Sequence, residues 1–511
     1  MAVLSHCPVL PATSQSWNKI IKKQVLEGSQ KKALLTFLHM QEIGHFADNF
    51  SYPILLKATA ALSLERVGSA LHGQIIKTGF FNHSFVQTAL LNLYSNFGCR
   101  EESCRVFQQI SVKDIVAWNS MLDAYAAVGE MENAMTIFHS IPCKDLLSYN
   151  IMVSGYAKIG DKILAENIFD KIHQKDIISW NSMILACCNA GDMEKARNFF
   201  DQMPSRNVIT WNTMLTGYLG SNCLGRVIAL FEEMQEENYD PDHLTITIVL
   251  SACANLGLLE KGEEMHIFAL EKGLTSSPHV TTSLIEMYAK CGKIPSSLEV
   301  FYKSQIKDIY CWNAMISGLA LHGLAFSAFK LFDAMKRKDL RPDDITFVGL
   351  LSACSHSGLI HEGLELFSSM EKKYAINPKL EHYGCIVDLL GRAGLLDHAL
   401  QLIESMPIVP AKSILGALLG ACVNYRNTEI GEKVVKLLLK SGESLSDGEH
   451  MMVANLYASC KQLEEANKWL KMMNDSGVSK TAGCSIIQVN GEMHRFVAGD
   501  KKKKLFNANA I

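Results

Sequence analysis

Between residues 115 and 207 the apolar positions keep helical time, break at a glycine and resume with the same period. Trp118, Met121, Leu122 and Tyr125 share one face of a helix; after Gly129, Met131, Ala134, Ile137 and Phe138 share another. The pattern then repeats. Residues 115–119 read IVAWN, 146–150 LLSYN, 177–181 IISWN, 208–212 VITWN and 309–313 IYCWN, and the first four blocks begin 31 residues apart. A glycine follows the block's Asn by ten residues at Gly129, Gly160, Gly191 and Gly323, and a small and an aromatic residue come next, as in Ala134 and Phe138, Ala165 and Phe169, Ala196 and Phe200. Each unit therefore predicts two short amphipathic helices broken at a glycine, with the alanine letting them approach closely.

One such hairpin cannot bury its own apolar face, whereas stacked copies can, so the period predicts an all-α fold: a right-handed α-solenoid superhelix of helix-turn-helix repeats. Twelve units fit residues 14–411, namely 14–48, 49–83, 84–114, 115–145, 146–176, 177–207, 208–242, 243–277, 278–308, 309–343, 344–379 and 380–411, with lengths of 31, 32, 35 or 36. Longer units tend to end in Pro-Asp, as at Pro241-Asp242 and Pro342-Asp343, where the proline stops one helix and the aspartate can cap the next. Two further helical pairs are predicted over 412–444 and 447–475. Beyond them Asn490-Gly491 separates the β-prone runs 485–489 and 492–497, a hairpin signal. Residues 501–511, which open on four lysines, read as a basic tail, and residues 1–13, with Ser and Thr but no acidic side chain, as a targeting segment.

Composition narrows the function. The 511 residues are 48% apolar, enough for a large core, and 49 basic against 52 acidic side chains leave a formal charge of -3, so no global positive field draws the chain to nucleic acid or anionic lipid. Apolar runs such as 414–423 are far shorter than the roughly 20 residues of a membrane span. Fifteen scattered cysteines, an odd number with no C-x-x-C, argue for a reducing compartment and thiols used as small core residues; the Cys187-Cys188 pair reads the same way. A zinc deaminase needs a ligand His two residues before its proton-shuttling Glu and a C-x-x-C to complete the metal site. Neither pattern occurs among the 17 His and 15 Cys, so the expectation is a protein that is not an enzyme and needs no metal or cofactor.

The aromatic-Asn block, the alternation of unit lengths and the terminal aspartate resemble the pentatricopeptide repeat (PPR) family. More narrowly, they are similar to the plant class that mixes standard, long and short repeats. Residues 250–253 (LSAC) with Gly262 and His266, and 351–354 (LSAC) with Gly358 and Gly363, look like the long type; 283–292 (SLIEMYAKCG) looks like the short type. Residues 381–394 (EHYGCIVDLLGRAG) resemble the last short repeat before the family's C-terminal E extension, 412–482 resemble that extension, and 483–500 the start of its E-plus continuation, without the DYW deaminase domain some members carry. Leu415 stands where the extension usually has Trp, and Ala47 where the unit usually has Pro.

That resemblance implies single-stranded RNA read one base per repeat through two or three side chains. The family's readers are the fifth residue of a unit and its last, and the second residue wedges between bases. Here the pairs are Asn18 with Asp48, Thr88 with Asp114, Asn119 with Asp145, Asn150 with Asp176, Asn181 with Asn207, Asn212 with Asp242, Thr282 with Asp308, and Asn313 with Asp343. The wedges are Val116, Leu147, Ile178, Ile209 and Tyr310. By the family's code Thr with Asp favours G, Asn with Asp favours U and Asn with Asn favours a pyrimidine, which gives U-x-G-U-U-Y-U-x-G-U-x-x; the unread positions carry Pro53, Thr247, Val348 and Gly384. A unit-terminal Asp or Asn also stands where an N-cap belongs, worth about 1 kcal/mol without any ligand. An Asn inside a helix has no such excuse, being several tenths of a kcal/mol worse than Ala. The aromatic residue before it reads as core, while Lys158 and Lys290 fall by phase near the groove.

The function so implied is a specificity factor for organellar C-to-U RNA editing, in mitochondrion or chloroplast with the former slightly favoured. Residues 412–500 would recruit a deaminase-bearing PPR protein or another editing factor in trans, and no membrane is involved. The alternatives are an organellar RNA-binding factor for splicing, transcript stability or translation, and a protein-binding scaffold.

Overall fold

The computed structural model describes residues 13–440, 445–475, 483–489 and 492–498. The basic tail, the turn residues Asn490 and Gly491, and all but the last residue of the 1–13 segment lie outside the described residues. Those described form 28 α-helices and one antiparallel strand pair, Cys484–Val489 with Glu492–Val497, in which Ile486 faces Arg495. The chain is an all-α solenoid of helical hairpins, divided into two compact units, Met1–Ser221 and Asn222–Ile511.

Within each unit of the structure the first helices of successive repeats pack side by side. Ile115–Ala127, Leu146–Ile159 and Ile177–Asn189 form such a row in the first unit, and Pro278–Lys290, Ile309–Leu321 and Asp344–Ser357 in the second. The helical break is a backbone event: Gly129 and Gly160 adopt φ of +80° and +78°, a left-handed conformation that costs a Cβ-bearing residue about 1 kcal/mol or more. Ala134, Ala165 and Ala196 are fully buried where the second helix returns. Short and long repeats differ mainly in that second helix. It has 10 residues in Met131–Ser140, Met193–Gln202 and Ile294–Lys303, and 13 in Leu224–Glu236, Leu259–Glu271 and Ala325–Arg337. The difference is close to one turn of about 3.6 residues.

Adjacent repeats are joined by a recurring aromatic contact. Phe107, Phe138, Phe169 and Phe301, each on a second helix, meet the ring of the following block, Trp118, Tyr149, Trp180 and Trp312, edge to face at 5.1, 5.3, 5.1 and 4.9 Å. The block aromatics therefore pack against the core, Trp312 buried and Trp118, Tyr149 and Trp180 half-buried. Above the first three rings stand Lys113, Lys144 and Lys175, 5.0, 5.1 and 4.8 Å from the centroids, each donating to a carbonyl of its own loop, those of Ile110, Ile141 and Ile172. Each lysine immediately precedes a unit-terminal aspartate, so the ring contact fixes the backbone from which that aspartate projects.

Candidate nucleic-acid interface

The N-terminal ends of the first helices gather the side chains singled out by sequence. Asp114, Asp145, Asp176, Asp308 and Asp343 sit in extended backbone at the N-cap, and each carboxylate accepts the third backbone N–H of its helix. Asn207 and Asp242 do the same for the helices they begin. The capping reading is thus correct for these residues, and it does not use up their oxygens.

The fifth-position asparagine of the preceding repeat reaches the same carboxylate. Its Nδ2 donates to Asp48 from Asn18 at 3.0 Å, to Asp145 from Asn119 at 3.0 Å, to Asp176 from Asn150 at 3.1 Å, and to Asp343 from Asn313 at 2.9 Å. Asn119, Asn150 and Asn313 are no more than 5% exposed, so each amide is held at the floor of the row, with its carboxylate partner nearer the solvent. Burial pushes the carboxyl groups of Asp145 and Asp176 up, but hydrogen bonds from Asn119 and Ser148, and from Ser179 and Asn150, outweigh it and hold both below the usual carboxylate range. Asp48 is lowered in the same way, burial being outweighed by bonds from Ser51, Asn18 and Phe50.

The two threonine pairs and the Asn181–Asn207 pair are built differently. Thr88 and Thr282 share no hydrogen bond with Asp114 and Asp308. Thr282 Oγ1 donates back to the Pro278 carbonyl at 2.9 Å and lies 3.2 Å from Cys311 Sγ. Asn181 Oδ1 is buried without a partner, and Asn207 does not bond to it. Asn212 is buried in the first structural unit, and Asp242 caps a helix of the second.

The predicted wedges are exposed apolar side chains at one repeated position. Val116, Leu147, Ile178, Ile209 and Tyr310 are 49 to 64% exposed, although they lie one turn or less from buried core. Phe50, Phe85, Leu244 and Ile345 occupy the same second position and are exposed too. These four were readable from phase alone, but they stand in repeats whose first block lacks the aromatic-Asn signature or follows a longer repeat. Of the two lysines, Lys290 donates to Asn255 Oδ1 at 2.8 Å, one repeat back, and Lys158 is exposed. Burial pushes the Cys187 and Cys188 thiols up to about 11 and about 12, which suits inert core residues rather than nucleophiles. Among the described residues no group of three or more His, Cys, Asp or Glu is placed to hold a metal ion.

Comparison with known proteins agrees with this architecture. The PPR repeat family matches residues 175–208, 206–255 and 307–356, the PPR repeat matches 116–146, 147–177, 280–309, 345–374 and 381–407, and the E motif matches 425–488. Over 488 residues the chain is 47% identical to the pentatricopeptide repeat-containing protein At3g29230 of Arabidopsis thaliana, covering 95% of this chain and 81% of that one. It is 44% identical over 266 residues to a putative chloroplastic pentatricopeptide repeat-containing protein, At5g59200, and 43% over 270 residues to a mitochondrial one, At2g22410, both of Arabidopsis thaliana. Those matches cover 52% and 53% of this chain and only 49% and 40% of the relatives, so the chain spans about half the length of several curated relatives. Among solved structures, maize PPR10 aligns with a TM-score of 0.48 at 16% identity, covering 91% of this chain and 79% of that one.

Proposed function

We propose, since the chain belongs to the pentatricopeptide repeat family, that it binds single-stranded RNA with one nucleotide facing each asparagine–aspartate, threonine–aspartate or asparagine–asparagine pair. The observation that carries this reading is the repeated pair itself: a buried amide bonded to a helix-capping carboxylate, with an exposed apolar side chain three residues before the amide. Asn119 Nδ2 has one hydrogen engaged by Asp145, and its other hydrogen is a donor; the carboxylate is an acceptor. A uracil edge offers the complement, carbonyl oxygens beside an N–H. Apolar side chains such as Ile178 and Ile209 supply the surfaces between successive bases. Lys290, already bonded to Asn255, and the net charge of -3 leave the phosphate backbone a minor role.

The biological output we favour is specification of organellar C-to-U editing, with the E-motif region recruiting a deaminase in trans. The match at 425–488 favours this over splicing, stability or translation. Relatives named chloroplastic and mitochondrial support an organellar site of action, in one of those two compartments. The test has two stages. Unbiased selection of bound RNA is expected to return U-x-G-U-U-Y-U-x-G-U-x-x, and a pool without that order would reject base reading. Sequencing organellar transcripts from a strain lacking the protein is expected to show at least one unedited cytidine, and unchanged editing at every site would reject the editing role.

A further inference from the structure

Every asparagine at position five is followed, at position three of the next repeat, by a hydroxyl. Asn18, Asn119, Asn150, Asn181, Asn212 and Asn313 are answered by Ser51, Ser148, Ser179, Thr210, Thr245 and Thr346. Where position five is not asparagine, the hydroxyl is missing: Pro53, Thr88, Thr247, Thr282, Val348 and Gly384 are followed by Val86, Ala117, Val280, Cys311, His382 and Ile414. Helix capping does not account for this. Asp114 and Asp308 cap their helices as well as the others do, with Ala117 and Cys311 at the third position. The hydroxyl follows the asparagine, not the aspartate.

The geometry says what it does there. Ser51, Ser148, Ser179 and Thr346 are fully buried, and their hydroxyls donate to Oδ1 of Asn18, Asn119, Asn150 and Asn313 at 2.6, 2.7, 2.6 and 2.7 Å. The same oxygens lie 2.7 to 2.9 Å from the aspartate carboxylates. A carboxylate only accepts, so the asparagine must turn Nδ2 toward it, and the hydroxyl then occupies the carbonyl that remains. One of the carbonyl's two lone pairs is thereby taken, and the asparagine is biased toward donating. Unit 177–207 is the internal control: the Thr210 hydroxyl turns to Asn207 Oδ1 at 3.0 Å, and Asn181 Oδ1 is the carbonyl left buried without a partner.

We propose that the third residue of each following repeat is a specificity-determining positioning residue: its hydroxyl occupies the asparagine carbonyl, so that the amide is a poorer acceptor for the exocyclic amine of cytosine. This rests on the RNA-reading function above. With the hydroxyl, the pair selects uracil over cytosine; without it, the pair takes either pyrimidine. The assignment adds a third side chain, contributed by the next repeat, to the two that read each base.

A gain-of-function series tests it in the full chain. RNAs carrying each of the four bases at the nucleotide facing Thr88 and Asp114 are titrated against wild type, Thr88→Asn, and Thr88→Asn combined with Ala117→Ser. Wild type is expected to prefer G, Thr88→Asn to prefer U and C within about twofold of each other, and the double variant to prefer U over C by about tenfold, the range of one well-placed base contact. The reverse experiment replaces Thr346 by isosteric Val and by Ser: Thr346→Val is expected to bring U and C facing Asn313 within about twofold, with the G preference at Thr88 intact, and Thr346→Ser to retain U. A purely structural hydroxyl would lower affinity equally for all bases. Equal U-to-C ratios in the single and double variants, or an undiminished ratio in Thr346→Val, overturn the proposal. A wild type with no base preference at either nucleotide overturns the RNA-reading function itself.

Discussion

A side chain in this protein is defined by what it touches in the next repeat as much as by its own helix. Thr88 and Asn119 occupy the same position, yet the first shares no bond with its unit-terminal aspartate and the second is tied to Asp145 at 3.0 Å. Replacing Thr88 by Asn is therefore expected to move the base preferred there from G to a pyrimidine and to weaken binding of the original RNA by about 1 to 3 kcal/mol. Titration against matched and mismatched RNAs checks it, and a loss shared by all sequences would point to damage in the fold. The carboxylates carry a second prediction. Asp145 and Asp176 have their acidity strengthened in the folded chain relative to a free aspartate. Stability from this source is complete above the unfolded value and is lost as pH falls through the lower folded one. Asp176→Asn, which keeps a capping oxygen as Asn207 does, is expected to flatten the fall of Tm between about pH 5 and about pH 2. Thermal unfolding across that range would show it, and an unchanged slope would mean that the bonds to Asp176 contribute nothing to stability.

Helices are placed by contacts that tolerate little change. Gly318 on Ile309–Leu321 faces Ala289 on Pro278–Lys290 so closely that an added Cβ would sit 2.8 Å from the alanine Cβ, and neither group can rotate aside. Gly318→Val is expected to cost about 1 to 3 kcal/mol by forcing the two helices apart, measurable by urea unfolding. A lower cost would mean that the row of first helices yields easily. Phe169→Leu tests the aromatic joint, since it removes the edge contact with Trp180 and the ring beneath Lys175. About 1 to 2 kcal/mol should be lost, and the base facing Asn150 and Asp176 should be read less sharply, because Lys175 keeps its bond to the Ile172 carbonyl but loses the ring that holds the loop against the helix. The hairpins themselves were legible in the sequence, because helical periodicity, the glycine at φ +80° and the buried alanine are all local signals. Contacts between repeats were not. The bond from Ser148 to Asn119 joins residues 29 apart, and it is the comparison of all repeats, not either local pattern, that links the two. The exposed second-position residues Phe50, Phe85, Leu244 and Ile345 are hard to see in the sequence for a related reason: the aromatic-Asn block is what marks the position, and these repeats lack it.

At the scale of the whole chain, charge and apolar exposure pull in different directions. With a net charge of -3 and its readers mostly uncharged or acidic, the chain is expected to bind RNA with a shallow salt dependence. Each phosphate neutralised on a single strand contributes about 0.7 to the slope of log affinity against log salt. A slope of magnitude below about 3 is expected over ordinary buffer conditions, and a much steeper one would mean that lysines, not the paired side chains, hold the strand. The second-position row has a different consequence. Phe50, Phe85, Val116, Leu147, Ile178 and Ile209 in one unit, and Leu244, Tyr310 and Ile345 in the other, keep oily surface in contact with water at regular intervals. Surface of that kind drives copies of a protein onto one another when nothing else covers it. A nucleotide strand threaded along the row would then act as a solubiliser, and the empty receptor would be the species that precipitates first.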